Sequence, residues 1–121
     1  HLYRALAQAG CRMLAVPSAF TRATGAVHWH ALLRARAIEN AAFVLAPATC
    51  GVHPGEHATF GHSLIVDPYG TVLADGGETP GIASADLDLA AADRARASIP
   101  SLLHDRPFTL HDGLGGALFS C

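Results

Sequence analysis

Apolar positions recur every three or four residues from Trp29 to Ile38: Trp29, Leu32, Leu33, Ala35 and Ile38, with Arg34, Arg36 and Glu39 between them. That spacing predicts an amphipathic helix. It runs into Ala42-Phe43-Val44-Leu45-Ala46, apolar throughout and stopped by Pro47, the pattern of a strand covered on both faces. A helix feeding a buried strand with almost no loop is the wiring of a layered α/β domain. Upstream, Leu2 to Ala9 reads as a short helix stopped at Gly10, and Met13 to Val16 as a short strand ending at Pro17. Arg22 to Gly25 reads as a loop, with Thr24 as the N-cap of the helix that follows.

Downstream, Gly51, Pro54 and Gly55 mark Ala48 to Thr59 as a loop. Phe60 to Val66 and Thr71 to Ala74 read as strands. Between them Asp67-Pro68-Tyr69-Gly70 has the residues of a type I turn, so the pair is a hairpin. Ile82 to Leu87 alternates enough to suggest a further strand, and Leu89 to Ala97 is an alanine- and arginine-rich helix ending before Ile99-Pro100. From Ser101 the chain reads as an irregular tail, with Pro107 and three glycines. The expected division is a domain over residues 1–100 and a tail over 101–121.

Composition narrows the class. A chain of 121 residues that is 50% hydrophobic and 15% charged has material for one core. A net charge of −2 without a basic stripe argues against nucleic acid, and no apolar run is long enough for a membrane span. Cys11, Cys50 and Cys121 are sparse and odd in number, which fits reduced thiols and a cytoplasmic protein better than a disulfide framework. No signal-peptide pattern is visible. All eight basic residues are arginine, so any mechanism that requires a lysine is incomplete in this chain.

Eight histidines raise the question of a metal. His28 and His30 are two apart and leave a helix on different faces. His53, His57 and His62 lack ligand spacing, so neither a metal nor another cofactor is expected. Cys50-Gly51, at a strand end, is the better placed of the thiols for chemistry. Ser63 lacks the full G-x-S-x-G elbow and is set aside as a nucleophile. Arg34 and Arg36 could bind an anion, pair with Glu39 or line an interface.

Several phrases then point the same way: L-Y-R-A-L-A from Leu2, L-A-V-P-S-A-F-T from Leu14, T-G-A-V-H-W-H-A-L-L-R-A-R-A-I-E-N from Thr24, and F-G-H-S-L-I-V-D-P-Y-G from Phe60. G-I-A-S-A-D-L-D-L and I-P-S-L-L-H-D-R-P complete the order. Together they resemble the nitrilase superfamily of carbon–nitrogen hydrolases, in its omega-amidase and deaminated-glutathione-amidase-like branch. The resemblance implies an α/β fold, the C-terminal part of a four-layer α-β-β-α sandwich. It also implies a homo-oligomer, a dimer, acting on a small linear amide. A cysteine thiolate would attack the amide, a glutamate would act as base and a lysine would hold the oxyanion; ammonia would leave and water would hydrolyse the thioester.

In that family the cysteine precedes the L-Y-R-A-L phrase, in text like C-Y-D-L-R-F-P-E-L-Y-R-A-L. Here His1 stands where glutamate is usual, so the cysteine, lysine and base glutamate would all precede residue 1. None of the three cysteines matches the nucleophile, no catalytic residue is assigned, and the chain alone is expected to be inactive. What the resemblance does assign is a substrate wall: Ser18, Ala19, Phe20 and Thr21, then His28, Trp29 and His30. Core packing is the alternative for Trp29. His30 replaces the glutamate of the family phrase H-W-E, which by resemblance lies near the active site. A non-catalytic binding or assembly module of the same fold is the alternative function.

Overall fold

The computed structural model describes residues 1–55 and 57–106, and the backbone of two short strands beyond them. Helix α1 spans Leu2–Gln8, strand β1 Met13–Ala15 and helix α2 Arg22–Asn40. Strand β2 spans Phe43–Ala46, β3 Cys50–His53, β4 His57–Phe60, β5 Leu64–Val66 and β6 Val72–Asp75. Helix α3 spans Ala90–Ser98 and a 3-10 turn Ser101–Leu103, with β7 at Thr109–His111 and β8 at Ala117–Ser120.

The central sheet has the order β1-β2-β5-β6. Strands β1 and β2 are parallel, joined by α2 as the crossover; β2–β5 and β5–β6 are antiparallel. Register places Leu14 beside Val44, Val44 beside Val66 and Ala46 beside Leu64 on one face. These five join Trp29, Leu33, Ala37 and Ala42 in the core. Alternation sends Met13, Ala15, Leu45 and Ile65 to the opposite face, where Met13 and Ala15 are exposed.

Helix α2 begins three residues earlier than the spacing predicts. Thr21, not Thr24, is the N-cap: its side chain accepts from the Thr24 amide at 3.4 Å, and the Gly25 amide already donates to the Thr21 carbonyl at 2.8 Å. Gly25 is therefore no loop glycine; it is buried where α2 crosses Phe60 of β4. The buried face runs through Gly25, Trp29, Leu33, Ala37 and Asn40. Leu32, Ala35 and Ile38, expected on that stripe, lie outside it and are exposed. The helix ends at Ala41, in the left-handed region at φ 43°, and turns straight into β2. Asn40, buried at the last turn, donates from Nδ2 to the Arg36 carbonyl at 2.8 Å, so its amide is not orphaned.

Three further expectations change. The loop from Ala48 to Thr59 is a hairpin, β3 paired with β4 from Cys50↔Phe60 to His53↔His57. Pro54 and Gly55 form its turn, and Gly51 lies within a strand rather than breaking one. The strand expected from Phe60 to Val66 is two strands, because Gly61 and His62 both take positive φ, 75° and 56°, and bend the chain between β4 and β5. Ile82 to Leu87 keeps its alternation, with Ala83, Ala85 and Leu87 half-buried, but finds no ladder partner among the described residues. The turn at Asp67 to Gly70 is as the sequence predicts: the Asp67 carboxylate accepts from the Tyr69 and Thr71 amides at 2.9 and 2.8 Å.

The stretch after Ser101 is not wholly irregular, since it opens on the 3-10 turn and carries the antiparallel β7–β8 pair. Pro107, the three glycines and Cys121 lie outside the described residues. Arg96 ties α3 to the rest, donating from Nη2 to the Cys11 carbonyl at 2.5 Å and from Nε to the Ala41 carbonyl at 3.3 Å. Among the described residues no helix is long and apolar enough to cross a membrane.

Asp105 returns the chain to α1, accepting from Arg4 Nε and Gln8 Nε2, both at 2.6 Å. The Arg4 guanidinium, then the Gln8 amide, hold its carboxyl below the usual carboxylate value. A lowered value means the tie is present above the ordinary aspartate range and is lost as pH falls through the lowered one. Asp105→Asn should release the 3-10 turn at neutral pH, seen as faster amide exchange at Leu103 and His104. Wild type should reach that state only in acid. Equal exchange in both proteins at neutral pH would refute the tie.

Candidate functional site

Beyond their last paired residues, β1 and β2 continue side by side. The Val16 amide donates to the Leu45 carbonyl at 2.9 Å, the Ser18 amide to Pro47 at 3.0 Å, and the Thr49 amide back to Ser18 at 3.0 Å. Ser63, at the start of β5, closes the third side: its Oγ accepts from the Ala48 amide at 3.0 Å. The three strand ends outline an open depression of about 550 Å³. Ser63 therefore holds backbone and has no nucleophile's partner here. Strand ends that meet in this way are where α/β sheets place ligands.

A second hollow, about 190 Å³, opens behind Ser18 between α1 and α2, walled by Tyr3, Phe20, Trp29 and Arg36. The structure thus brings three of the sequence-predicted wall residues, Ser18, Phe20 and Trp29, to one concavity. Phe20 packs on Trp29 with ring centroids 5.1 Å apart. Trp29 is also a core residue, 2% exposed, and its Nε1 donates to the His62 carbonyl at 2.7 Å. Thr21 is occupied as the N-cap, while Ala19 and His28 are exposed and line neither hollow. Arg36 pairs with Glu39 and lies over the Tyr3 ring, and Arg34 Nε donates to the Gly70 carbonyl at 2.8 Å, so both arginines have partners within the chain.

His30 points away from this hollow, into a cluster invisible to motif spacing. Its Nε2 lies 3.0 Å from Asp75 Oδ2, and His62 Nδ1 lies 2.9 Å from Asp75 Oδ1. The partners stand 45 and 13 positions apart in the chain, on α2, on the bend before β5 and at the end of β6. Phe60 stacks on His62 at 4.4 Å and meets His30 edge-on at 6.1 Å. The Gly77 amide donates to Asp75 Oδ1 at 2.8 Å. Burial pushes the Asp75 carboxyl up, but the Gly77 amide and the two rings outweigh it and hold the carboxyl below its ordinary value. An ionised Asp75 can only accept, so each facing ring nitrogen is a donor.

A sequence model of the family described as Carbon-nitrogen hydrolase matches residues 1–97. The chain belongs to the carbon-nitrogen hydrolase family. This carbon-nitrogen hydrolase chain is 48% identical over 103 residues to a deaminated glutathione amidase of Synechocystis sp., covering 85% of the chain and 38% of that protein. It therefore spans well under half the length of that curated relative. Among solved structures, the Caenorhabditis elegans NitFhit protein superposes with a TM-score of 0.83 at 42% identity, over 87% of this chain and 26% of that one. A mutant amidase of Nesterenkonia sp. AN1, with the acetamide moiety of fluoroacetamide added covalently at its active-site cysteine, gives a TM-score of 0.64 at 31% identity, over 80% and 36% of the two chains. The carbon-nitrogen hydrolase fold and the α/β class follow together. Cys11 and Cys50 of this hydrolase chain are free thiols, half-buried, and neither belongs to the His30–His62–Asp75 cluster.

Proposed function

We propose that this chain supplies the substrate wall of a thiol amidase whose cysteine, lysine and glutamate lie in sequence before His1. The observation that carries the reading is that Ser18 joins two hollows, the depression at the ends of β1, β2 and β5 and the pocket behind it that Phe20 and Trp29 wall. The strand ends of the first are fixed by paired backbone amides, and the aromatic flank of the second would exclude water from an apolar part of a ligand. The likeness to deaminated glutathione amidases supports a small linear amide of that type as substrate. In the proposed reaction the thiolate adds to the amide carbon, the C–N bond breaks as the nitrogen takes a proton, and water then cleaves the thioester to a carboxylate. The absence of lysine from the sequence supports an oxyanion partner outside the chain.

The test compares the 121-residue chain with a form extended through the preceding coding sequence, using deaminated glutathione and α-ketoglutaramate as substrates. Released amine, ammonia and new carboxylate are measured. The extended form should turn over one of them, and the short chain should give no product above buffer. Turnover by the short chain would overturn the assignment of the catalytic groups, and an inert extended form would overturn the amidase reading.

One observation favours a second reading, an assembly module acting through a homo-oligomer. Met13, on the sheet face away from α2, is 48% exposed and Ala15 beside it is also exposed. Light scattering decides: a clean monomer counts against it.

A further inference from the structure

We propose that His30, His62 and Asp75 bind one divalent transition-metal ion, zinc being the ion of choice for two imidazoles and a carboxylate. The inference does not rest on the amidase reading. The three side chains offer ligand atoms that all lie within 4.8 Å of one another. Asp75 Oδ2 lies 3.0 Å from His30 Nε2 and 3.0 Å from His62 Nδ1, close to the roughly 3.3 Å that separates donors around a tetrahedral ion bound at about 2.0 Å. The side chains keep 38%, 21% and 34% of their surface exposed, which leaves room for water as the fourth ligand.

The surroundings of His62 carry the argument further. Asp75 faces its Nδ1, and Glu78 Oε1 stands 4.0 Å from its Nε2. With a metal at Nδ1, the ring's N–H would be on Nε2, the side on which Glu78 stands. Ligating histidines are held in this way by an outer carboxylate. Glu78 is itself tethered by Arg22 at 3.6 Å. The frame is built independently of any ion: the Trp29 indole fixes the His62 carbonyl, the His62 amide donates to the Gly77 carbonyl at 2.6 Å, and Gly77 in turn donates to Asp75. His62 also holds a left-handed backbone, φ 56°, a conformation a non-glycine residue keeps only where its surroundings impose it.

The test uses the whole chain, stripped with chelator and titrated with Zn²⁺, and with Co²⁺ as a coloured probe. One ion should bind per chain, raise the melting temperature and give the intense visible bands of four-coordinate cobalt. In ring ¹H–¹⁵N spectra of the wild type, which need no variant, zinc should shift His30 and His62 and leave His28, His53, His57 and His104 in place. His30→Gln and Asp75→Asn should each abolish the one-to-one binding, whereas Glu78→Gln should weaken it about 10-fold. No saturable binding, a doubly protonated His62 that zinc does not displace, or shifts confined to the other histidines would overturn the proposal.

Discussion

Trp29→Ala is expected to cost about 3–5 kcal/mol, the range for removing a large buried aromatic. The indole is 2% exposed, stacks near Phe20 and is part of the core between α2 and the sheet. Two losses add. The cavity cannot be refilled by Leu33 or Ala37, which sit on the same rigid helix face. The His62 carbonyl also loses its 2.7 Å donor at a place where solvent access is limited. Domains of this size have stabilities of about 5–15 kcal/mol, so the variant should be marginal at room temperature. Trp29→Phe separates the terms: it keeps most of the volume and removes the N–H, and should cost about 1–2 kcal/mol. Urea unfolding followed by far-ultraviolet circular dichroism measures both. A loss below about 1.5 kcal/mol for Trp29→Ala would mean the ring is not the core element described.

Gly25→Ala should destabilise even though alanine is the better helix former by about 1 kcal/mol. A Cβ at this position would stand 2.3 Å from the Phe60 Cβ and 2.4 Å from its Cγ. Those atoms are near the backbone, so no rotamer change of Phe60 clears them. Either β4 moves away from α2 or the helix shifts off the sheet. Overpacking of this kind costs about 1–3 kcal/mol, which outweighs the propensity gain in all but its lowest range. The second consequence is local. Phe60 stacks on His62, so displacing β4 should carry His62 away from Asp75. Backbone amide shifts of Thr59 to Ser63 should therefore change more than those of β1. An alanine variant as stable as wild type, with unchanged shifts there, would show that the helix and hairpin are not in the contact described.

Much of the fold is legible in the sequence because it rests on local signals. The α2–β2 junction, the Asp67 turn and α1 follow from periodicity, turn chemistry and a glycine stop, each contained within a few residues. Two of the errors share one cause, the reading of glycine as a breaker. Gly25 and Gly51 instead sit inside elements, one to allow close approach and the other within a hairpin strand at φ 101°. Ile82 to Leu87 has a strand's alternation, but a strand also needs a neighbour, and that is not a property of the segment itself. The site divides in the same way. Ser18, Phe20 and Trp29 come from contiguous phrases. His30, His62 and Asp75 come from three elements, and their meeting depends on the β5–β6 register and on the bend at Gly61. The one sequence hint was His30 standing where a carboxylate was expected, a change that turns attention to what else lies nearby.

The parallel pairing of β1 with β2 sets an order of events for folding. Strand β5 can zip to β6 across five residues, and β3 to β4 across three, each within a short loop. Strand β1 has no such shortcut, because its partner lies on the far side of the whole of α2. Its docking must wait until that helix has formed and folded back, since long loop closures are won late. The edge that carries Ser18 is therefore expected to be sealed last, which later exchange protection at Met13–Ala15 than at Leu64–Val66 during refolding would show.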